Sequence, residues 1–380
     1  MIGNPFTLGL VRGPDLCDRK HELEVLSNHA QNGRNVILVS PRQYGKSSLV
    51  LEAQDQLRAS GFLTVYVDLL SIASDLDVPR KLAAALVSDL GRGADPITLA
   101  KRVKNLFSRI TPSIDLTPAG ATVSVSLAQD ADAIVSLTDV LDSLYRYVER
   151  QKIPACVVLD EFQEIGRLPG SHTIEATLRS YLQDHHSISF FFVGSRRQAL
   201  AEMFTRARPL YQTAYLMPLE RIPRDDFVSY IAERFDRTGK KCSLETAGLI
   251  YDRVDGYPAY VQRLAATAWD LSTLRCSEEK VKEAYASLLA MAEVEFGSVW
   301  ISLPLGQRTL LQALAAESTT QLTASDYLRR HGLVAGTVQR AIKSLLDLDL
   351  VERSPTTGRF FVVDPMLAAW VSRSPTIELT

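Results

Sequence analysis

Charge of one sign is scarce in this sequence. Against 42 Lys and Arg stand 44 Asp and Glu, which leaves a formal net charge of −2 and a pI near 6.3. That balance excludes a whole-molecule attraction to nucleic acid or anionic membrane, so any such affinity must come from a local patch. Cysteine is equally sparse. Cys17, Cys156, Cys242 and Cys276 form no CxxC pair and have no His at metal-ligand spacing. A disulfide frame and a zinc site are thereby excluded, and thiols in a reducing compartment are expected. Long hydrophobic runs are missing too: Ile188 to Val193 is among the longest, far short of the roughly 20 residues of a membrane helix. Met1 to Leu10 shows neither the basic start nor the apolar run of a secretory signal. A cytoplasmic protein without membrane association is expected. Internal repeats and low-complexity tracts are also lacking.

What is present is ample apolar material. Hydrophobic residues make up 46% of the 380 and charged residues 23%, enough for two or three domains with real cores. Over the first 220 residues short apolar runs alternate with helical stretches such as Ser47 to Ala59 and Ile134 to Arg150. The runs are Asn35 to Val39, Phe62 to Val67, Ala155 to Leu159 and Ile188 to Val193, with Ala214 to Met217 as a candidate fifth. They do not alternate cleanly, as befits strands covered on both faces of a parallel sheet, and the rhythm is that of an α/β doubly wound domain. One segment departs from it. Ile110 to Leu127 alternates apolar residues with Ser and Thr around Pro118-Ala-Gly120, which predicts an inserted β-hairpin.

After Pro218 the strands stop. Arg221 to Arg237, Leu244 to Val254, Ala259 to Thr273 and Ser277 to Glu295 read as amphipathic helices. Beyond Phe296, helices at Gly306 to Glu317, Ser325 to Arg330 and Gly336 to Leu348 lead into Leu350 to Arg353, a turn at Pro355 to Gly358 and Arg359 to Val363. Three short helices and a hairpin predict a winged helix. The expected divisions are an α/β domain over 1–218, a helical domain over 219–295 and a winged-helix domain over 296–380.

The chemistry is concentrated after the first strand. Ser40-Pro-Arg-Gln-Tyr-Gly-Lys-Ser-Ser48 fits the P-loop pattern G-x-x-x-x-G-K-[ST] at Gly45, Lys46 and Ser47, with Ser40 in place of the first glycine. Successive backbone N–H groups and a helix N-terminus make an anion hole there. Pro41, Arg42, Gln43, Tyr44, Gly45, Lys46, Ser47 and Ser48 are therefore the expected phosphate-binding residues. Lys46 is expected to reach the β and γ phosphates and the Ser47 hydroxyl to ligate Mg²⁺. The partner is Val157-Val-Leu-Asp-Glu-Phe-Gln-Glu164, where a buried strand ends in two carboxylates. Asp160 is the expected Mg²⁺ residue, and Glu161 the group that orients and polarises the attacking water. A third strand ends at Val193-Gly-Ser195. Ser195 is expected either beside those acids or in a plain Gly-Ser turn.

In this order, Asp18-Arg-Lys-His-Glu-Leu23, Gly45-Lys-Ser-Ser-Leu49, Leu159-Asp-Glu-Phe-Gln-Glu164, Val193-Gly-Ser195, Pro209-Leu-Tyr211, Gly256-Tyr-Pro258 and Asp364-Pro365 resemble the archaeal-type AAA-like ATPases. That family is grouped with the signal-transduction (STAND) branch of P-loop NTPases, and the resemblance spans essentially the whole chain. It implies an ASCE-type parallel sheet, a helical lid and a winged helix, with ATP or ADP and Mg²⁺ as ligands. It also implies that the Arg19 segment flanks adenine and ribose and that Pro258 covers the nucleotide from the lid. Two departures stand out. The family has Gly at the positions of Ser40 and Asp18, and Gly-Arg at Gln212-Thr213. Loss of that arginine leaves Arg208, Arg206 or Arg196 as candidates for its charge-stabilising role and implies slow hydrolysis.

Three functions follow. The first is an ATP-hydrolysing conformational switch; the second is a DNA-binding initiator or loader; the third is a nucleotide-bound scaffold that does not hydrolyse. Origin-recognition ATPases carry an Arg in the lid after Gly-Asp, where this chain has Gly256-Tyr-Pro-Ala259, and this favours the switch. The Gly336 to Leu348 helix sets Val338, Ile342, Leu345 and Leu346 on one face, Gln339, Arg340 and Lys343 on the other, with Arg329, Arg330 and His331 nearby. Asp347, Asp349 and Glu352 dilute the patch, so the face suits DNA or a protein. The expected partners are ATP, DNA or a protein at the winged helix, and further copies of the chain in a nucleotide-dependent assembly.

Overall fold

The computed structural model describes residues 3–92, 103, 106, 107, 110–117, 120–127, 131–184, 187–354 and 356–373. They divide into two compact units, residues 10–220 and residues 3–9 with 221–373.

In the first unit, β1 (Val36–Val39), β2 (Leu63–Asp68), β3 (Ile110–Thr117), β4 (Gly120–Leu127), β5 (Ala155–Asp160), β6 (Ile188–Gly194) and β7 (Tyr215–Pro218) follow in chain order. Among the described residues five of these make a parallel sheet in the order β2-β5-β6-β1-β7. All four expected strands and the candidate fifth are present. The fifth runs through Pro218 because it lies at the sheet edge, where a missing N–H costs no ladder bond. Strand β6, apolar except at Ser189 and buried along its length, lies between the strand of the P-loop and the strand of the two carboxylates. Register aligns Val39 with Gly194 and Asp68 with Asp160, so the strands end together along one edge. Ligands of open α/β sheets bind at such an edge.

Both sheet faces are covered. On one, Leu82, Leu86, Leu141, Leu144, Ile174 and Leu178 from the helices Asp77–Leu90, Ala133–Gln151 and Ser171–Asp184 join Val65, Val157, Phe190 and Phe192 in a single core. On the other, the Gln54 amide of the helix Lys46–Ala59 donates to the carbonyls of Val65 and Cys156. Ser189 donates to the Ala30 carbonyl of the helix Lys20–Gln31. Each fully buried Phe of β6 contributes roughly 1.5–3 kcal/mol by leaving water. The inserted hairpin is present as β3–β4, running from Ile110 opposite Leu127 to Thr117 opposite Gly120; Pro118 and Ala119 lie outside the described residues.

The second unit is helical: Arg224–Arg237, Leu244–Arg253, Pro258–Leu271, Glu278–Met291 and Glu293–Ser302. The single helix expected from Ser277 to Glu295 is two, broken at Ala292, and the expected division at 295/296 falls inside the second of them. Leu305–Ala316, Ser325–Arg330 and Ala335–Asp347 then lead to β8 (Val351–Arg353) and β9 (Phe360–Val362), an antiparallel wing. Thr319 bridges Phe360 and adds a third edge to it. A last helix, Pro365–Arg373, was not foreseen in the sequence pattern; its Trp370 packs on Trp300 and Phe296. No described helix is long and apolar enough to cross a membrane.

Candidate active site

Backbone torsions shape the loop after β1. Gln43 and Gly45 both take left-handed conformations, at φ 65° and 83°. A Cβ at Gly45 would meet nothing within 4 Å, so glycine is wanted there for its torsion and not for space. Left-handed residues in such a turn allow successive N–H groups to converge, the arrangement that binds anions. Gly45 ends this turn as the N-cap of the helix Lys46–Ala59, whose dipole adds positive potential.

Two hydroxyls and two carboxylates meet across the strand ends. Ser47 Oγ donates to Asp160 Oδ2 at 2.7 Å, and Tyr66 Oη on β2 donates to the same oxygen at 2.5 Å. Asp160 is almost fully buried, and hydrogen bonds to a buried carboxylate are worth about 1.5–3 kcal/mol each. The Tyr66 phenol is pushed well above its ordinary range by burial and then by the Asp160 charge, so it remains a donor. Glu161 follows in a left-handed conformation, φ 54°, at a cost on the order of 1–2 kcal/mol for a residue other than glycine. Strain of this kind collects at functional sites. The Glu161 Oε2 atom accepts from Ser195 Oγ at 2.8 Å and from the Gln163 side-chain amide. Gln163 lies against the end of β6, where a Cβ at Gly194 would come within 2.3 Å of its Oε1. A side chain at Gly194 would have to shift the Gln163 amide. Ser195 therefore lies beside the two acids.

Lys46 is 5% exposed. Its Nζ donates to the carbonyls of Ser40 and Pro41 at 3.0 and 2.8 Å. Burial brings its pKa down from 10.5 to about 8, against the pull of Glu161 and Asp160 and with help from Arg42 and Arg197. A buried ammonium beside an anion hole gains most when a phosphate arrives.

The remaining expected residues have other partners. Ser48 Oγ accepts from the Val11 amide at 3.0 Å, and Glu52 accepts from the Gly13 amide at 2.7 Å, so the segment before Asp18 is laid along the P-loop helix. Arg19 is buried and donates to Glu22 and to the Glu220 carbonyl. Asp18 and Gln212, both at positions where the resembled family has glycine, are left-handed at φ 33° and 59°. Arg208 holds the fully buried Glu175, with Nε 3.1 Å from Oε2. Arg206 donates to Tyr211 Oη at 3.2 Å. Pro258 opens the helix Pro258–Leu271 of the second unit and is buried. Tyr66, Gln163 and Glu175 were not singled out from sequence. The signal for Gln163 was in the Asp-Glu-Phe-Gln run; Tyr66 and Glu175 gave none, since only strand pairing and helix packing bring them to their partners.

The donor set suits the implied ligands. A serine hydroxyl and a buried carboxylate are hard oxygen donors of the kind Mg²⁺ takes alongside phosphate oxygens and water. The loop of inward N–H groups with Lys46 suits a polyphosphate.

No curated protein matches the sequence. The Walker-type ATPase PABY2304 of Pyrococcus abyssi superposes with a TM-score of 0.70 at 16% identity, covering 97% of this chain and 99% of that one. The Aeropyrum pernix ORC2 protein, solved as ADPNP–ADP complexes, gives 0.57 at 17% identity over 95% and 94%. The Aeropyrum pernix ORC1 protein in complex with DNA gives 0.50 at 15% identity over 97% and 94%. At such identities the likeness establishes the fold: a P-loop NTPase-type sheet followed by a winged helix. A family model for a probable winged helix domain matches residues 294–373. A second family model matches residues 16–264, well over half of the sequence, and the chain belongs to that family, the ATPase domains predominantly from Archaea.

Proposed function

We propose that this chain is a conformational switch of the STAND-like regulatory kind, which binds ATP with Mg²⁺ and hydrolyses it slowly. The observation that carries the reading is the meeting of Ser47 with Asp160 beside a clamped Glu161. In this reading residues 40–48 wrap the phosphates, Lys46 faces the β and γ oxygens, and Ser47 and Asp160 hold Mg²⁺, which supplies charge neutralisation when bound. Glu161 takes the proton of the attacking water, with Ser195 and Gln163 setting its orientation. Arg208 is committed to Glu175, which fits a slow enzyme that awaits a charge from elsewhere. A nucleotide-dependent assembly of several copies is one source of that charge.

The ATPase domain spans 1–218, the lid 219–295 and the winged-helix domain 296–380, with the last junction inside the helix Glu293–Ser302. The four buried cysteines fit a reducing cytoplasm.

A DNA-binding initiator or loader is the second reading. It is favoured by the likeness to an ORC1 protein solved with DNA and by the exposed Arg340 and Lys343. Against it, Arg329 faces Asp326, and Arg330 and His331 both face Glu317, so the patch is largely neutralised.

Phosphate release and particle size measured together, with and without duplex DNA, test both. The switch reading expects turnover and size to follow nucleotide and to ignore DNA. DNA binding that is steeply salt-dependent and lost in the variant Arg340→Glu/Lys343→Glu would overturn it. Nucleotide bound without any phosphate release would leave the non-hydrolysing scaffold.

A further inference from the structure

Two short motifs far apart in sequence, Gly256-Tyr-Pro258 and Asp364-Pro365, meet within the second unit. Gly256 is left-handed, and a Cβ there would lie 2.4 Å from the Tyr251 ring, so the turn before the lid helix is fixed by sterics as well as torsion. Pro258 follows at the first helical position, where proline is preferred. Tyr257 and Tyr260 bracket it, three residues apart and so on one face of the turn. Both are buried. Tyr257 Oη donates to the Val363 carbonyl, and Tyr260 Oη donates to Asp364 Oδ2 at 2.5 Å.

Asp364 does two things at once. Its Oδ1 accepts from the amides of Met366 and Leu367 at 2.8 and 3.1 Å, capping the helix Pro365–Arg373. Its other oxygen takes the Tyr260 phenol. The far half of that helix is held separately, by Trp370 Nε1 donating to Glu293 Oε2 at 2.6 Å. The last helix of the winged domain is thus fastened at its start to the lid turn and towards its end to the helix Glu293–Ser302.

We propose that Tyr257 and Tyr260, with Val363 and Asp364, form a joint that fixes the winged domain to the start of the lid helix, so that the two move as one piece. The joint rests on hydrogen bonds inside one compact unit. Its use as a transmitter rests on the reading of Pro258 as the residue that covers the nucleotide. Under that reading, a displacement of Pro258 by the phosphates is passed to the winged domain through the two residues that bracket it. Tyr257 and Tyr260 are positioning residues and take no part in the chemistry.

Hydrogen exchange on the full chain tests the joint, in peptides covering 256–262 and 363–373, without nucleotide, with ADP and with a non-hydrolysable ATP analogue. Tyr260→Phe removes one hydroxyl, and Asp364→Asn keeps a capping side chain, so both should fold. Without nucleotide, each should speed exchange in 363–373 by ~10-fold or more, the effect of losing one hydrogen bond to a charged group. The double variant should add little to either, because both act on the same bond. In the parent both segments should respond to nucleotide; in the variants only 256–262 should. Unchanged exchange in 363–373 without nucleotide, or fully additive effects, would overturn the joint. If neither segment of the parent responds to bound nucleotide, the switch reading fails, and the nucleotide-free comparison still decides the joint.

Discussion

Lys46 offers a prediction that runs against the usual effect of removing a functional residue. Lys46→Met should stabilise the nucleotide-free protein. The ammonium is 5% exposed, and burial brings its pKa from 10.5 to about 8. At about 1.4 kcal/mol per tenfold change in the proton equilibrium, keeping it charged at pH 7 costs roughly 3 kcal/mol. Methionine fills similar volume without that cost. It does forfeit the hydrogen bonds to the Ser40 and Pro41 carbonyls, together worth about 1–2 kcal/mol. A net gain of about 1–2 kcal/mol remains, equivalent to roughly 2–8 °C for a unit of this size. The sign with pH follows from the same values. Between about pH 8 and 10.5 the unfolded chain holds a proton that the folded one has released, so parent stability rises with pH across that window. Below pH 8 both states are charged and the cost is fully present. The advantage of the variant should therefore be largest at pH 7 and shrink above pH 8. Thermal unfolding of both proteins from pH 6.5 to 9.5, with and without ATP and Mg²⁺, checks this. ATP should raise the parent's midpoint by mass action and leave the variant's where it was. A variant less stable than the parent without nucleotide, or an advantage independent of pH, would refute the reasoning.

Other perturbations separate the roles of neighbouring residues. Asp160→Asn should weaken Mg²⁺-dependent ATP binding by about 10- to 100-fold and leave binding in a chelator unchanged, as read by titrating Mg²⁺ against a fluorescent ATP analogue. Arg208→Ala strands the buried Glu175 and should cost about 3–5 kcal/mol of stability in denaturant melts; lost turnover with unchanged stability would instead make Arg208 a catalytic arginine. Gln212→Gly should be neutral or gain up to about 1 kcal/mol by relieving a left-handed side chain, whereas Gln212→Ile should lose more than about 1 kcal/mol.

The sheet was legible because buried parallel strands are short, apolar and separated by helices. The P-loop was legible because its backbone needs Gly45 and its chemistry needs Lys46 and Ser47 at fixed spacing. The order of the strands was not. Placement of β6 between β1 and β5 follows from crossover connections, and spacing carries no trace of it, yet that placement is what sets Ser195 against Glu161. Tyr66 lies 94 residues from Asp160, in a strand whose pattern gave it no distinction. The break at Ala292 was hidden for a different reason: Glu293 and Glu295 continue the polar pattern of the preceding helix, so periodicity runs through it. Asp364-Pro365 was visible as a motif and unreadable as a contact, since Tyr260 lies 104 residues away.

The most direct test of the account is a single turnover by Glu161→Gln. Glutamine keeps the size of the side chain and can still accept from Ser195 and Gln163, while it loses the basicity that water activation needs. Bound nucleotide and released phosphate are followed together after mixing with ATP and Mg²⁺. The variant is predicted to bind ATP within about 3-fold of the parent, to release phosphate at least about 100-fold more slowly, and to hold intact ATP when isolated. Phosphate released at the parent rate would show that Glu161 is not the catalytic carboxylate and would contradict the mechanism at its centre.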